Sequence, residues 1–204
     1  MLSLVIFDCD WVLFDSWHAN VAFYNEVLRR AGLPPMSPEW ERHAHYFSSA
    51  QLLNAMFADE PKRQQFTRQL ARQIDYGPFY DMMEPVADLH ATLCTLNSSY
   101  RTALASNRGR TVREVVRRFH LERYFEFVVG ASDVERPKPF PDMIQRCLDH
   151  FAVCPQAAVY VGDGLSDREA ANAAGVSFVA VGDHCWAPRQ VTRLADLPAL
   201  LSEF

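Results

Sequence analysis

The chain has no apolar stretch approaching the length of a membrane span, no internal repeat and no low-complexity linker. Its apolar start runs into Asp8 too soon for a signal peptide. No Cys-x-x-Cys pair occurs among Cys9, Cys94, Cys147, Cys154 and Cys185, and their number is odd, so reduced thiols and a cytoplasmic setting are expected. Positive charge is also scarce: a net charge of −5 argues against nucleic-acid and anionic-membrane partners. The one basic concentration, Arg108, Arg110, Arg113, Arg117 and Arg118, falls on a predicted helix and reads as a solvated face. With 204 residues, 49% of them hydrophobic and 22% charged, the chain can bury one good core and a small second one.

The most informative segment is Leu4-Val5-Ile6-Phe7-Asp8-Cys9-Asp10-Trp11-Val12. A short apolar run broken at once by a turn predicts a buried parallel strand. At strand period, Asp8 and Asp10 leave its carboxyl end towards the same side. Open α/β sheets place their ligand crevice at that edge. Two acids crowded there repel each other unless a cation or a shared proton compensates. One suits a nucleophile and metal ligand, the other a proton donor and acceptor. Alone, such a pair is more often an Asp-rich turn; three later segments change that balance.

Ala103-Leu104-Ala105-Ser106-Asn107 is a second apolar stretch, closing on a hydroxyl and an amide. A serine at a strand end beside free N–H groups suits a phosphate oxygen. Thr111 and Glu114 behind it are spaced as a capping box. In Arg136-Pro137-Lys138-Pro139-Phe140-Pro141-Asp142, prolines fix the backbone on both sides of Lys138, and Pro141 suits the first turn of a helix. A lysine held that way can neutralise an anion. Ala158-Val159-Tyr160-Val161-Gly162-Asp163 is another strand ending in an acid, with Asp167 four positions on. Ser166 and Glu169 form a candidate capping box and Gly175 a helix stop. Asp163 and Asp167 can thus face one hard cation of the kind carboxylates, water and phosphate satisfy.

In this order the four segments resemble the haloacid dehalogenase superfamily, in particular its phosphatases with a helical cap and their phosphoglycolate-phosphatase-like branch. Phe7-Asp8-Cys9-Asp10-Trp11-Val12 matches the family's first motif, Ser106 its second, Lys138 its third, and Gly162-Asp163 through Asp167 its fourth. Asp15-Ser16 and Lys138 to Asp142 also look like that branch. One departure is plain: the family usually has glycine where this chain carries Trp11. Glycine there permits a tight turn beside the phosphate. The tryptophan must adopt a compatible φ or distort the turn, with its indole over the pocket mouth or packed beneath the cap.

The predicted element order agrees with that resemblance. Strands are expected near 4–7, 100–105, 126–130, 157–161 and 177–181. Helices alternate with them near 85–97, 110–119, 140–150, 166–174 and from Leu197 on. This alternation predicts a Rossmann-like three-layer α/β/α parallel sheet. Between the first strand and Pro85 only helices are convincing: one from Asp15 or Ser16 to Ala31, one from Pro38, one from Ala50 to Phe57, and one from Pro61 to Ile74. The expected division is a core of 1–14 and 86–204 with a small all-helical cap of 15–85.

The resemblance implies a Mg²⁺-dependent phosphomonoester hydrolase working through an aspartyl-phosphate on a small phosphorylated metabolite, as a monomer or homodimer. It assigns Asp8 as nucleophile, Asp10 as general acid and base, and Ser106 and Lys138 as phosphate ligands beside Asn107. Mg²⁺ would be held by Asp8, Asp10 through its carbonyl, and Asp163, with Asp167 in support. It places a substrate-selecting cap loop near His45, Ser48 and Ser49; Trp11, where the family usually has glycine, is a further candidate for substrate contact. His43 and His45, two apart on a helix, do not share a face as metal ligands would need to. A phosphosugar mutase on the same core and a catalytically weak phosphate-binding protein are the alternatives. A dehalogenase fits less well, because it would leave Asp10 without a task.

Overall fold

The computed structural model describes residues 1–44, 47–183 and 187–204. Two compact units result: Met1–Phe14 with Pro85–Phe204, and Asp15–Glu84.

The first unit is built on β1 (Leu4–Phe7), β4 (Arg101–Ser106), β5 (Phe127–Gly130), β6 (Ala158–Gly162), β7 (Ser177–Val181) and β8 (Gln190–Val191). They form one parallel sheet in the order β5-β4-β1-β6-β7-β8. A second, two-stranded sheet pairs β2 (Phe14–Asp15) with β3 (Glu84–Pro85), where the chain passes between the units. The apolar run of β1 has its cause in this order. Every residue of β1 is buried, with β4 on one side and β6 on the other, in the register Ile6 to Ala103 and Ile6 to Tyr160. A strand covered on both faces must be apolar throughout rather than alternating.

Leu4 and Ile6 join Ala103, Ala105, Val129 and Tyr160 in one core, under α7 (Asp142–Phe151) and α8 (Leu165–Ala174). Val5 and Phe7 point the other way by strand period, and the Phe7 ring meets Phe125 edge-on at 6.0 Å. The remaining helices of this unit are α5 (Leu89–Asn97), α6 (Thr111–Arg118) and α9 (Leu197–Leu201), which bury Leu89, Leu93 and Leu96, Val112, Val115 and Val116, and Leu197 and Leu201 respectively. The chain travels outward from β1 to β4 and β5, then returns to β6 on the other side. The carboxyl ends of β4, β1 and β6 therefore border a topological switch point, where such sheets form a crevice.

The second unit contains α1 (Trp17–Arg30), α2 (Pro38–His43), α3 (Ser49–Met56) and α4 (Pro61–Gln73), followed by a 3₁₀ turn over Gly77–Met82. Gly32 takes φ +70° just after α1, a left-handed stop that costs glycine little. The interior here is aromatic. Phe23 packs on Tyr24, Tyr76 and Phe79 with ring centroids 5.3, 5.1 and 5.6 Å away. Tyr76 Oη donates to Asn20 Oδ1 at 2.9 Å, which satisfies a hydroxyl otherwise stranded among rings.

Local details differ from the sequence expectations. Helix α6 starts at Thr111 with no side-chain cap, so Thr111 and Glu114 do not form the expected capping box. At α8 the cap is Gly164, with Asp167 rather than Glu169 accepting the free backbone N–H. Helix α5 begins at Leu89, not Pro85, after Asp88 in the left-handed region at φ +59°. Strand β8, only two residues long, has no expected counterpart because so short a segment carries no periodicity.

Candidate active site at the carboxyl edge of the sheet

Strand geometry delivers the acids to one edge. Asp8 follows β1 directly and its N–H donates to Val161 O of β6 at 2.9 Å, so the nucleophile candidate is pinned to the neighbouring strand. Ser106 is the last residue of β4, and Asp163 follows the last residue of β6. Asp8, Asp163 and Asp167 each bring one carboxylate oxygen within 4.8 Å of the others, and all three are buried.

Lys138 enters from the loop after β5. Its side chain is 2% exposed, and its ammonium lies 2.9 Å from Asp8 Oδ1 and 2.6 Å from Asp167 Oδ1. Lys138 Nζ also donates to Tyr160 Oη at 2.9 Å, and that hydroxyl donates to Ala105 O at 2.6 Å. Burial opposes the lysine's charge, but Asp167 and Asp8 outweigh it and hold the ammonium well above the usual lysine range. Tyr160 carries no functional signal in the sequence; its place in the middle of an apolar strand reads simply as core.

Asp167 is fixed from both oxygens. Oδ2 accepts from the N–H groups of Asp163 at 3.1 Å and Gly164 at 3.0 Å, while Oδ1 takes the lysine. Gly162 makes room for it: a Cβ there would stand 2.5 Å from Asp167 Cβ, closer than packed carbons approach. Asp167 thus orders the loop and the lysine together.

Asp8 feels the crowding most. Its carboxyl is pushed up to about 7, first by burial and then by Asp167, Asp163 and Asp10, against the pull of Lys138. A buried carboxylate group that its neighbours drive towards protonation is short of positive charge. Oxygen donors clustered at such a place fit a small hard divalent cation.

The Asp10 side chain lies outside the carboxylate cluster and turns to Arg108 instead. Arg108 Nη2 donates to Asp10 Oδ1 at 2.6 Å, and Nε reaches Oδ2 at 2.8 Å. Arg108 is buried, which corrects its expected place on a solvated helix face; it precedes α6. Its adjacency to Ser106-Asn107 is the sequence signal that points to it.

Trp11 resolves its conformational conflict by adopting φ +60°, the left-handed backbone that glycine would take freely. Its N–H donates to Phe14 O at 2.6 Å, and Leu13 N–H to Cys9 O at 3.0 Å, closing a tight loop after β1. The tryptophan is half-buried. Asn107 Nδ2 donates to Lys138 O at 3.2 Å, tying the loop after β4 to the lysine's own backbone. Cys9 is fully buried, and burial, reinforced by Asp10, pushes its thiol well above the usual cysteine range.

Of the expected residues in the helical unit, His45 lies outside the described residues. Ser48 caps α3: its Oγ accepts from Gln51 N at 3.3 Å, and its N–H donates to Gln51 Oε1 at 2.8 Å. Ser49 Oγ shares a 3.0 Å hydrogen bond with Tyr24 Oη. Both serines have local tasks that explain them. His43 stacks on Phe47 at 5.6 Å, and its Nδ1 lies 3.0 Å from Glu39 O.

A parallel sheet with acids leaving two adjacent strands defines an α/β enzyme that handles its ligand at the strand ends. More narrowly, residues 5–181 match the model of the haloacid dehalogenase-like hydrolases, and the chain belongs to that family. A solved hydrolase of that superfamily from Geobacter sulfurreducens, subfamily IA, variant 1, is 33% identical with a TM-score of 0.77; the match covers 98% of this chain and 96% of that one. Tyrosine-protein kinase PtkA of Mycobacterium tuberculosis is 28% identical over 185 residues, 88% of this chain and 62% of its own length. Phosphoglycolate phosphatase of Pseudomonas putida is 27% identical over 184 residues, 86% of this chain and 68% of that protein. This chain therefore spans less than two thirds of the kinase. Among the described residues, no helix is long and apolar enough to cross a membrane.

Proposed function

We propose that the chain hydrolyses a phosphomonoester of a small metabolite in two steps through Asp8. The observation that carries this reading is the Lys138 ammonium held between Asp8 and Asp167 at the carboxyl edge. A cation beside a carboxylate suits both the entry of a dianionic phosphoryl group and its transfer.

In the first step Asp8 attacks phosphorus in line, the bond to the leaving oxygen breaks, and Asp10 gives that oxygen a proton. In the second, water attacks phosphorus and passes a proton to Asp10. The bond to Asp8 breaks, and inorganic phosphate leaves. Ser106 and Lys138 hold the non-reacting phosphoryl oxygens, with Asn107 steadying the lysine's loop. Asp8 and Asp163, with the Asp10 carbonyl, are the groups proposed to hold Mg²⁺; Asp167 supports them. The ion would screen the substrate's charge from the incoming carboxylate. The helical unit inserted after the first strand is read as the part that selects the leaving group, a role resting on its place in the chain. The relatives named phosphoglycolate phosphatase favour a small acid phosphate as substrate.

The test is a turnover screen with Mg²⁺ over phosphoglycolate, sugar phosphates and nucleoside monophosphates, with Asp8→Asn as the blank. Phosphate release by the wild type and none by Asp8→Asn is expected. Sugar-phosphate isomerisation without phosphate release would favour a mutase, and retained turnover in Asp8→Asn would remove the covalent route.

A further inference from the structure

Arg108 stands 98 positions from Asp10 in sequence, yet it takes both oxygens of that carboxylate through two different nitrogens. The arginine side chain is 6% exposed and the aspartate side chain 14% exposed, so this is a nearly dry pair. Two-point binding by a planar fork fixes the rotation of a carboxylate as well as its position.

The backbone around Arg108 is fixed as firmly. Its N–H donates to Ser106 Oγ at 3.2 Å, and its carbonyl accepts from Ala131 N at 2.8 Å. Gly130 lets the two loops approach: a Cβ there would lie 2.7 Å from Arg108 O and 2.6 Å from Gly109 O. Ser106, Gly130 and Ala131 thus hold one arginine in register with one aspartate.

We infer that Arg108 is a positioning residue that orients Asp10 for proton transfer. The inference rests on the phosphatase reading, since it presumes that Asp10 moves protons in both steps. It assigns no direct contact between Arg108 and the reacting phosphoryl group. Its effect follows where Asp10 is needed. An alkoxide must be protonated as it leaves, whereas 4-nitrophenolate departs without help. Water attack on the aspartyl-phosphate needs Asp10 whichever substrate formed it.

The experiment is rapid-mixing kinetics of the full chain with Mg²⁺ on 4-nitrophenyl phosphate and phosphoglycolate, for the wild type, Arg108→Met and Arg108→Lys. With Arg108→Met, steady turnover of phosphoglycolate should fall about 10²-fold. On 4-nitrophenyl phosphate the first turnover should stay within about threefold of wild type while later ones slow, giving a burst of about one nitrophenolate per chain. Arg108→Lys keeps the charge but not the fork, and should recover part of the loss. In an Asp10→Asn background, Arg108→Met should change either rate by no more than about twofold, because the two act as one unit. That double variant removes both charges of the pair and remains a test if Arg108→Met alone fails to fold. The inference is overturned if first and later turnovers fall together on both substrates, or if KM alone rises on both, which would make Arg108 an anion-binding group. Losses that multiply in the Asp10→Asn background would overturn it as well. A wild type inert on both phosphates would instead remove the phosphatase reading itself.

Discussion

Lys138 Nζ and Asp167 Oδ1 lie 2.6 Å apart, and each side chain is 2% exposed. A pair so fully withdrawn from water is held in place by its other partners, since mutual attraction alone seldom offsets the desolvation of two ions. Here Asp8, Tyr160 and two backbone N–H groups complete the arrangement.

Removing the lysine leaves two buried carboxylates without it. Lys138→Met is expected to cost about 3–5 kcal/mol of stability as well as activity. Urea unfolding monitored by circular dichroism checks this, and a loss below about 1 kcal/mol would mean that water reaches the cluster freely.

The two acids after β6 should fail differently. Asp163→Ala is expected to raise the Mg²⁺ concentration needed for turnover while leaving the loop ordered. Asp167→Ala removes a helix-capping carboxylate and a lysine partner, so its main effect should be a loss of about 2–4 kcal/mol. Magnesium titrations of activity paired with melting curves distinguish these outcomes; identical behaviour of the two variants would contradict a division between metal ligand and loop support.

The raised Asp8 carboxyl makes stability depend on pH. Its native pKa of about 7 lies above the ordinary 3.8, so between these values the native chain binds more protons than the unfolded one. Its contribution is therefore full below about pH 4 and is lost as pH rises through about 7. Asp8→Asn has no proton to lose. Without metal, this variant should gain on the wild type over that window by about 2–4 kcal/mol and then stay level. Denaturant midpoints measured across the window, with EDTA present, check the sign; a difference independent of pH would contradict it.

Cysteine labelling should follow exposure and thiol acidity together. Cys94 and Cys154 are exposed and should react first, while Cys9 and Cys147 are buried. Burial pushes Cys147 up to about 12, and Cys9 well above its usual range, so neither offers much thiolate near neutral pH. Mass spectrometry after iodoacetamide should find these two unmodified until the protein is unfolded. Rapid alkylation of Cys9 in the native chain would contradict its described environment.

What could be read from the sequence was what is written locally. The runs before Asp8, Ser106 and Asp163 announce buried strands because each is apolar throughout and stops at a polar residue. Gly175 announces the end of α8 and indeed takes φ +71°. The pairing of Arg108 with Asp10 was hidden because it depends on how β4 lies beside β1, and a row of neighbouring arginines suggested a solvated face. Tyr160 was hidden for a related reason: its ring belongs to the core, and only the tip of the side chain serves the lysine. The capping box expected at Ser166 and Glu169 is absent because α8 starts earlier, at Leu165, which places Ser166 inside the helix. Asp167, two residues before Glu169, reaches the Gly164 N–H itself.

Gly162 has a consequence for anyone who maps this chain by mutation. It offers no functional group, yet any side chain there would collide with Asp167 and, through it, disturb the lysine that faces Asp8. A saturation scan scored on turnover alone would rank this position with the acids around it. Such a map would reveal a close approach on which the chemistry depends, and scoring abundance beside turnover would tell that steric requirement apart from a reactive group.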